Sequence, residues 1–179
     1  MRATRLLLAA LLLLPACAQA PGGTGPGSGG PDPATERAVG VYTAVLSKLI
    51  HEEGALQADS PIFILDRVDP DAQDPTASPA PAEPISQDVQ RGVVAGFPER
   101  DVIFVADAEA VSIPVEEGGG VRDGGMLVTL GPIPQGASRV EVPAGTLCGN
   151  LCGTWATYVV ELQGEVWKVS GTTGPVAIS

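Results

Sequence analysis

An α+β domain is what the sequence predicts: two helices packed on a mixed, mostly antiparallel sheet that ends in a four-stranded meander. Three observations carry this reading. An apolar stripe of helical period runs over residues 38–50. Two unbroken apolar runs, Ile62-Phe63-Ile64-Leu65 and Val102-Ile103-Phe104-Val105, flank a second helical pattern. The last third of the chain alternates apolar and polar residues, with turn glycines at strand-length intervals.

The first helix starts at Asp32-Pro33, an acceptor at the cap followed by proline at the first helical position. Ala38, Val41, Tyr42, Val45, Leu46, Leu49 and Ile50 then fall at i, i+3, i+4, i+7, i+8, i+11 and i+12, and Gly54 closes the helix. His51, the single histidine, sits in the last turn, where it complements the helix dipole. A surface structural role outweighs a catalytic one there.

The run 62–65 follows Pro61 and stops at Asp66, the pattern of a strand covered on both faces. Residues 69–84 hold five prolines and several aspartates, an acidic loop expected to be extended and disordered. Asp69, Asp71 and Asp74 lack the turn glycine and closing glutamate of an EF-hand, so no metal site is assigned. Ser86 caps a second helix lined by Ile85, Val89 and Val93, which Gly96 ends. Strand, helix and strand in succession predict a right-handed crossover between parallel strands. Within 107–125, Val111 to Val115 reads as a short edge strand. The following glycine-rich acidic loop has Gly118-Gly119-Gly120 without the Lys-Ser/Thr of a P-loop.

Met126 to Leu130 and residues 138–142 read as strands, with Val140 and Val142 inward. Residues 154–162 and 166–170 form the closing hairpin. With a Gln163-Gly164 turn, Val160 faces Trp167 and Tyr158 faces Val169, and all four share one face. Moving the turn to Gly164-Glu165 preserves that parity. The opposite face carries Thr157, Val159, Glu161, Val166, Lys168 and Ser170, a partly solvated set. Trp167 and Tyr158 are core by this reading, with ligand stacking the minor alternative.

The beginning of the chain carries an address. Arg2 and Arg5 precede a nine-residue apolar run, 6–14, followed by Leu14-Pro15-Ala16-Cys17. That run is shorter than the roughly 20 residues of a membrane-spanning helix. Leu14-Pro15-Ala16-Cys17 resembles the lipobox of bacterial lipoproteins, which implies cleavage after residue 16, lipidation with palmitate or a related acyl chain on Cys17, and a lipid-anchored protein on the extracytoplasmic face of the cell membrane. Ala18-Gln19-Ala20 offers an ordinary signal-peptidase site instead, but Pro21 directly after it hinders that cut. The organisation is then a signal peptide at 1–16, a charge-free Gly/Pro-rich tether at 17–31 and one domain at 32–179.

The formal charge is −11, and losing Arg2 and Arg5 with the signal brings it to −13. So acidic a surface repels nucleic acid and anionic headgroups, which leaves the acyl chain as the means of membrane attachment. Cys148 and Cys152 are the remaining cysteines, an even number in an oxidising compartment. The glycines at 149 and 153 let the chain turn and bring the pair within bonding range, so a disulfide is expected. Buried free thiols are the second reading. A metal site is the third, and it is short of ligands with two cysteines and one histidine.

Cys148-Gly-Asn-Leu-Cys152-Gly, Tyr158-Val-Val, Gly164-x-x-Trp167-x-Val169 and the terminal Ile178-Ser179 resemble a family of uncharacterised bacterial secreted proteins and lipoproteins with a Cys-Gly-x-x-Cys-Gly hairpin. The Gly-x-x-Trp-x-Val stretch also bears a weaker resemblance to the last strands of NTF2-like domains. Neither resemblance brings an activity or a cofactor.

Catalytic signatures are sparse. There is no Gly-x-Ser-x-Gly elbow, and a single histidine rules out His-Glu-x-x-His chemistry. Three functional readings follow, of which the last is a fold-stabilised spacer or assembly component. The first is a non-catalytic binding or accessory module of the cell envelope, whose partner is an envelope protein or a small ligand. The second is a hydrolase of cell-wall or extracellular substrate that uses paired carboxylates, with Asp66 and Asp107 as candidates.

Overall fold

The computed structural model describes residues 32–52, 59–77, 82–136, 138–149 and 151–179. The expected signal peptide and tether, Cys17 and the capping Gly54 lie outside the described residues. Residues 31–179 form one compact unit.

Helix α1, Pro33–Glu52, begins where the cap predicts. One oxygen of Asp32 accepts the backbone N–H groups of Ala34 (2.9 Å) and Thr35 (3.1 Å), and the other accepts the Thr35 hydroxyl at 2.6 Å. These bonds hold the Asp32 carboxyl below its ordinary range, the Thr35 hydroxyl contributing most. The helix then buries Val41, Tyr42, Val45, Leu46 and Leu49, the centre of the predicted stripe. Helix α2, Gln87–Ala95, is capped by Ser86 and buries Val89 and Val93.

The strands are β1, Ile62–Val68; β2, Val102–Val105; β3, Ser112–Ile113; β4, Gly120–Val121; β5, Met126–Leu130; β6, Arg139–Gly149; β7, Cys152–Gln163; and β8, Val166–Ile178. Six of them form one sheet in the order β2-β1-β5-β6-β7-β8. β1 runs parallel to β2 on one side and to β5 on the other, and every later pairing is antiparallel. The α+β architecture, the parallel crossover through α2 and the meander β5-β6-β7-β8 are as the sequence predicts.

Alternation along the strands gives the sheet two dry faces. Ile62, Ile64, Met126, Val128, Val140, Val142, Ala156, Tyr158 and Val160 meet the helices in the main core. Phe63 and Leu127 point the other way, into a second cluster with Val111 and Val121. That second cover corrects one expectation. Residues 111–115 are not a strand at the margin of the sheet; β3 and β4 instead pair with each other as a separate antiparallel ribbon. The ribbon hands Val111 and Val121 to the outer face of β1 and β5, so apolar burial rather than sheet pairing decides its place. Gly118, Gly119 and Gly120 turn it, all at positive φ (112°, 67° and 106°), a run of backbone that only glycine takes freely.

The meander strands are longer than their apolar patterns. β6 continues beyond Val142 through Pro143 to Gly149, β7 begins at Cys152, and β8 continues past Ser170 to Ile178. Proline is tolerated inside β6 because of where β5 ends. The Pro143 carbonyl accepts the Gly131 N–H at 2.7 Å, so the side of the strand on which the proline lacks a donor faces the last residue of the β5 ladder. The closing turn is Gly164-Glu165, with Gln163 opposite Val166, Leu162 opposite Trp167 and Val160 opposite Val169. One residue is then bulged out of β8, so Tyr158 pairs with Thr172 and not with Val169. The predicted inward face survives, since the two turn positions share a parity.

The acidic loop is folded over its first half. Residues 69–77 form successive turns in which Asp69 accepts the Asp71 N–H and Asp74 accepts the Thr76 N–H and hydroxyl. The Thr76 hydroxyl, then its N–H, lowers the Asp74 carboxyl from its ordinary value. Asp69 donates its N–H to the Leu130 carbonyl at 2.9 Å, and Ala72 is buried. The Ala72 carbonyl lies over Gly145 of β6, beside the Trp155 indole of β7; a Cβ on Gly145 would stand 2.6 Å from that oxygen and 2.3 Å from the indole. Residues 78–81 of the loop lie outside the described residues.

Gly145→Ala is therefore expected to destabilise the fold by about 1–3 kcal/mol through overpacking. Gly171→Ala, whose Cβ would meet nothing within 4 Å, is expected to stay within about 0.5 kcal/mol of the parent. Urea unfolding of the two variants checks this, and equal midpoints would refute the packing of the loop on β6.

Candidate functional site

Three groups of residues compete as sites. The first is the cysteine pair. Cys148 near the end of β6 and Cys152 at the start of β7 flank the tip of a hairpin in which Gly149 pairs with Cys152 and Leu147 with Gly153. Their Cα atoms are 5.2 Å apart and their sulfurs lie at disulfide distance. The β3–β4 ribbon packs beneath, with Gly120 close to the backbone of Cys148 and Gly149. Cys148 itself packs against the edge of the main core, while its neighbour Leu147 packs against the second cluster.

The second group is the candidate carboxylates. Asp66 lies inside β1, not beyond it, on the helix side with Ile62 and Ile64. Its carboxylate faces the Arg67 guanidinium at 3.4 Å, and Arg67 also donates to the Ala106 carbonyl. Asp107 follows β2 and spends one oxygen on the Glu109 N–H at 3.0 Å. Asp66 is thus paired within β1 and Asp107 within its own turn, a structural use of each.

The third group is a cleft that no sequence motif announces. It opens between α1 and the strand β8, with one end reaching α2, and encloses about 1020 Å³. Along α1 its wall carries Arg37, Gly40, Ala44, Lys48 and His51, residues that share one helical face beside the buried stripe. Opposite them stand Trp167 and Val169 of β8. Gly40 is what lets the indole approach: a Cβ there would lie 2.6 Å from Trp167 Cδ1. The Arg37 guanidinium sits 5.8 Å over the same ring and donates to the Pro134 carbonyl at 2.7 Å.

His51 is exposed in the last turn of α1, its Nδ1 bonded to the Ser47 carbonyl, as a helix-terminal histidine should be. Tyr158 and Trp167 do not form a stacking pair. Tyr158 is 1% exposed within the main core, whereas Trp167 forms the cleft wall. The cleft leaves two marks in the sequence, a glycine at 40 on the flank of the α1 stripe and a lysine at 48 two turns further along the same face.

Two further facts bear on function. Among the described residues no group of His, Cys, Asp and Glu could hold a metal ion, and no helix is long and apolar enough to cross a membrane. A scan against protein-family models returns no match, and searches of curated proteins and of solved structures return none.

Tyr42 ties the helix to the sheet on the main-core side of α1, its hydroxyl donating to the Gly131 carbonyl at 3.0 Å. Burial pushes this phenol up from 10.0 to about 12. The folded state therefore favours the neutral form. Its contribution is complete below the unfolded value near pH 10 and is lost as pH rises through the folded one. Between these limits the unfolding free energy is expected to fall by about 1.4 kcal/mol per pH unit. Tyr42→Phe should remove that share of the slope and cost about 1 kcal/mol at neutral pH. Denaturant melts from pH 8 to 12 test both. At the hairpin tip, thiol titration without reductant is expected to find Cys148 and Cys152 oxidised, and their reduction to cost about 2 kcal/mol for so small a ring. Two titratable thiols in the oxidised preparation would refute the bond.

Proposed function

We propose that this protein is a lipid-anchored module of the bacterial cell envelope, held at the extracytoplasmic face of the membrane, that binds rather than transforms. The observation that supports it is the order of segments. A basic start, a nine-residue apolar run and Leu14-Pro15-Ala16-Cys17 precede a charge-free stretch, and only then comes Asp32, which caps the first helix of the folded unit. In this reading an acyl chain on the Cys17 sulfur holds the chain at the bilayer, reinforced by the further acylation that stable anchoring requires. The charge-free Gly/Pro-rich stretch 17–31 is then the leash between that anchor and the domain. The acidic domain is repelled by anionic headgroups, so the leash holds it near the membrane without laying it on the surface.

Two observations favour binding over hydrolysis. Asp66 and Asp107 are each occupied within their own strand or turn. The cleft between α1 and β8 is walled mainly by apolar groups with a few charged side chains at its rim, the make-up of a ligand site.

Radiolabelled palmitate supplied to a bacterial host is expected to enter the parent chain and not Cys17→Ser, which should also leave the membrane fraction. Amino-terminal sequencing then separates the two cleavage readings. A labelled Cys17→Ser protein, or a mature chain starting at Pro21, would overturn the anchor.

A further inference from the structure

We propose that the cleft between α1 and β8 binds a small amphiphilic anion, its apolar body against Trp167, Val169 and Ala44 and its anionic head beside the Arg37 and Lys48 cations. The proposal rests on the binding role given to this module above, and it assigns that role a place and a ligand chemistry.

The first argument is charge. The chain carries a formal charge of −11 and has only two lysines, Lys48 and Lys168. Both border this cleft, together with Arg37 and the only histidine, against two carboxylates, Glu36 and Glu165. A strongly acidic molecule that brings both of its lysines and Arg37 to the rim of one cleft offers an anion an attractive place there.

The second argument is shape. The volume, about 1020 Å³, is of the order of small-molecule sites. Gly40 and Ala44 keep the α1 wall shallow, and Trp167 offers a half-buried ring face beneath the Arg37 guanidinium. The Nε of Arg37 is buried without a hydrogen-bond partner, so that side chain has donor capacity beyond its bond to Pro134. Cations at two points along an apolar wall suit a ligand with a short anionic head and a hydrocarbon body. A free polar anion would leave the apolar wall unused, and a neutral hydrocarbon would leave the cations unused.

The test uses the full-length chain carrying Cys17→Ser, which needs no detergent, with dodecanoate as probe below its micelle concentration. Calorimetry is expected to show one saturable site, and Trp167 fluorescence should shift on binding. Dodecanol and dodecyltrimethylammonium should bind at least about ten-fold more weakly, as should dodecanoate to Lys48→Gln or Arg37→Gln. Ala44→Leu, which keeps every charge and fills the apolar wall, should also weaken binding, with circular dichroism confirming the fold of each variant. Equal affinity for dodecanoate and dodecanol, or affinity unchanged in both charge variants and in Ala44→Leu, overturns the proposal. So does the absence of any binding. None of these outcomes touches the Cys17 anchor, which acylation and fractionation decide separately.

Discussion

The burial of one stripe of α1 against the middle of the sheet is the contact on which everything else depends. Val41, Val45, Leu46 and Leu49 are almost fully withdrawn from solvent, and the strands beneath them, β5, β6 and β7, present Val128, Val142, Ala144 and Ala156 at the same level. At about 25 cal/mol per Å² of apolar surface, each such side chain contributes roughly 1.5–3 kcal/mol. Once α1 is seated, its two flanks have fixed neighbours. α2 lies against one, and β8 approaches the other over Gly40 to form the cleft. The site is thus a by-product of helix placement, set by residues that never touch it.

Among the described residues, the sheet's other face is covered by the short ribbon and by turns, with no α-helix. Val111 and Val121 of the ribbon close over Phe63 and Leu127, and the turns of 69–74 close over Gly145 beside Trp155. Both covers come from acidic, glycine- or proline-rich sequence. Asp69, Asp74 and Asp107 each cap their own turn, so a few apolar residues suffice to hold each segment down.

What could be read in advance divides along physical lines. The helices, the parallel crossover and the meander were legible because each writes its burial into sequence with a fixed period, as α1 does from Ala38 to Ile50. The ribbon was not, since two residues of pairing at Ser112 and Ile113 leave no period to detect. Strand lengths were misjudged for a related reason. β6 continues through Pro143-Ala-Gly, residues that interrupt an apolar pattern without interrupting the ladder, because the neighbouring strand has already ended. The cysteine pair was legible from spacing and glycines alone. The cleft was not, for it requires Trp167 and Gly40, 127 positions apart in number, to meet. No motif of the closing segment names a site, so the cleft emerges only in three dimensions.

The bulge in β8 has one more consequence. A terminal strand of 13 residues would ordinarily offer a long comb of unpaired amides to any passing chain. Here the comb is broken twice, by the register shift near Ser170 and by a second shift opposite Ala156, where Gly174 takes positive φ and Pro175 has no amide to give. What remains is too short to template a partner strand. A protein crowded with its own copies on a two-dimensional surface, as an anchored one would be, thereby keeps its outermost strand from becoming an invitation to polymerise.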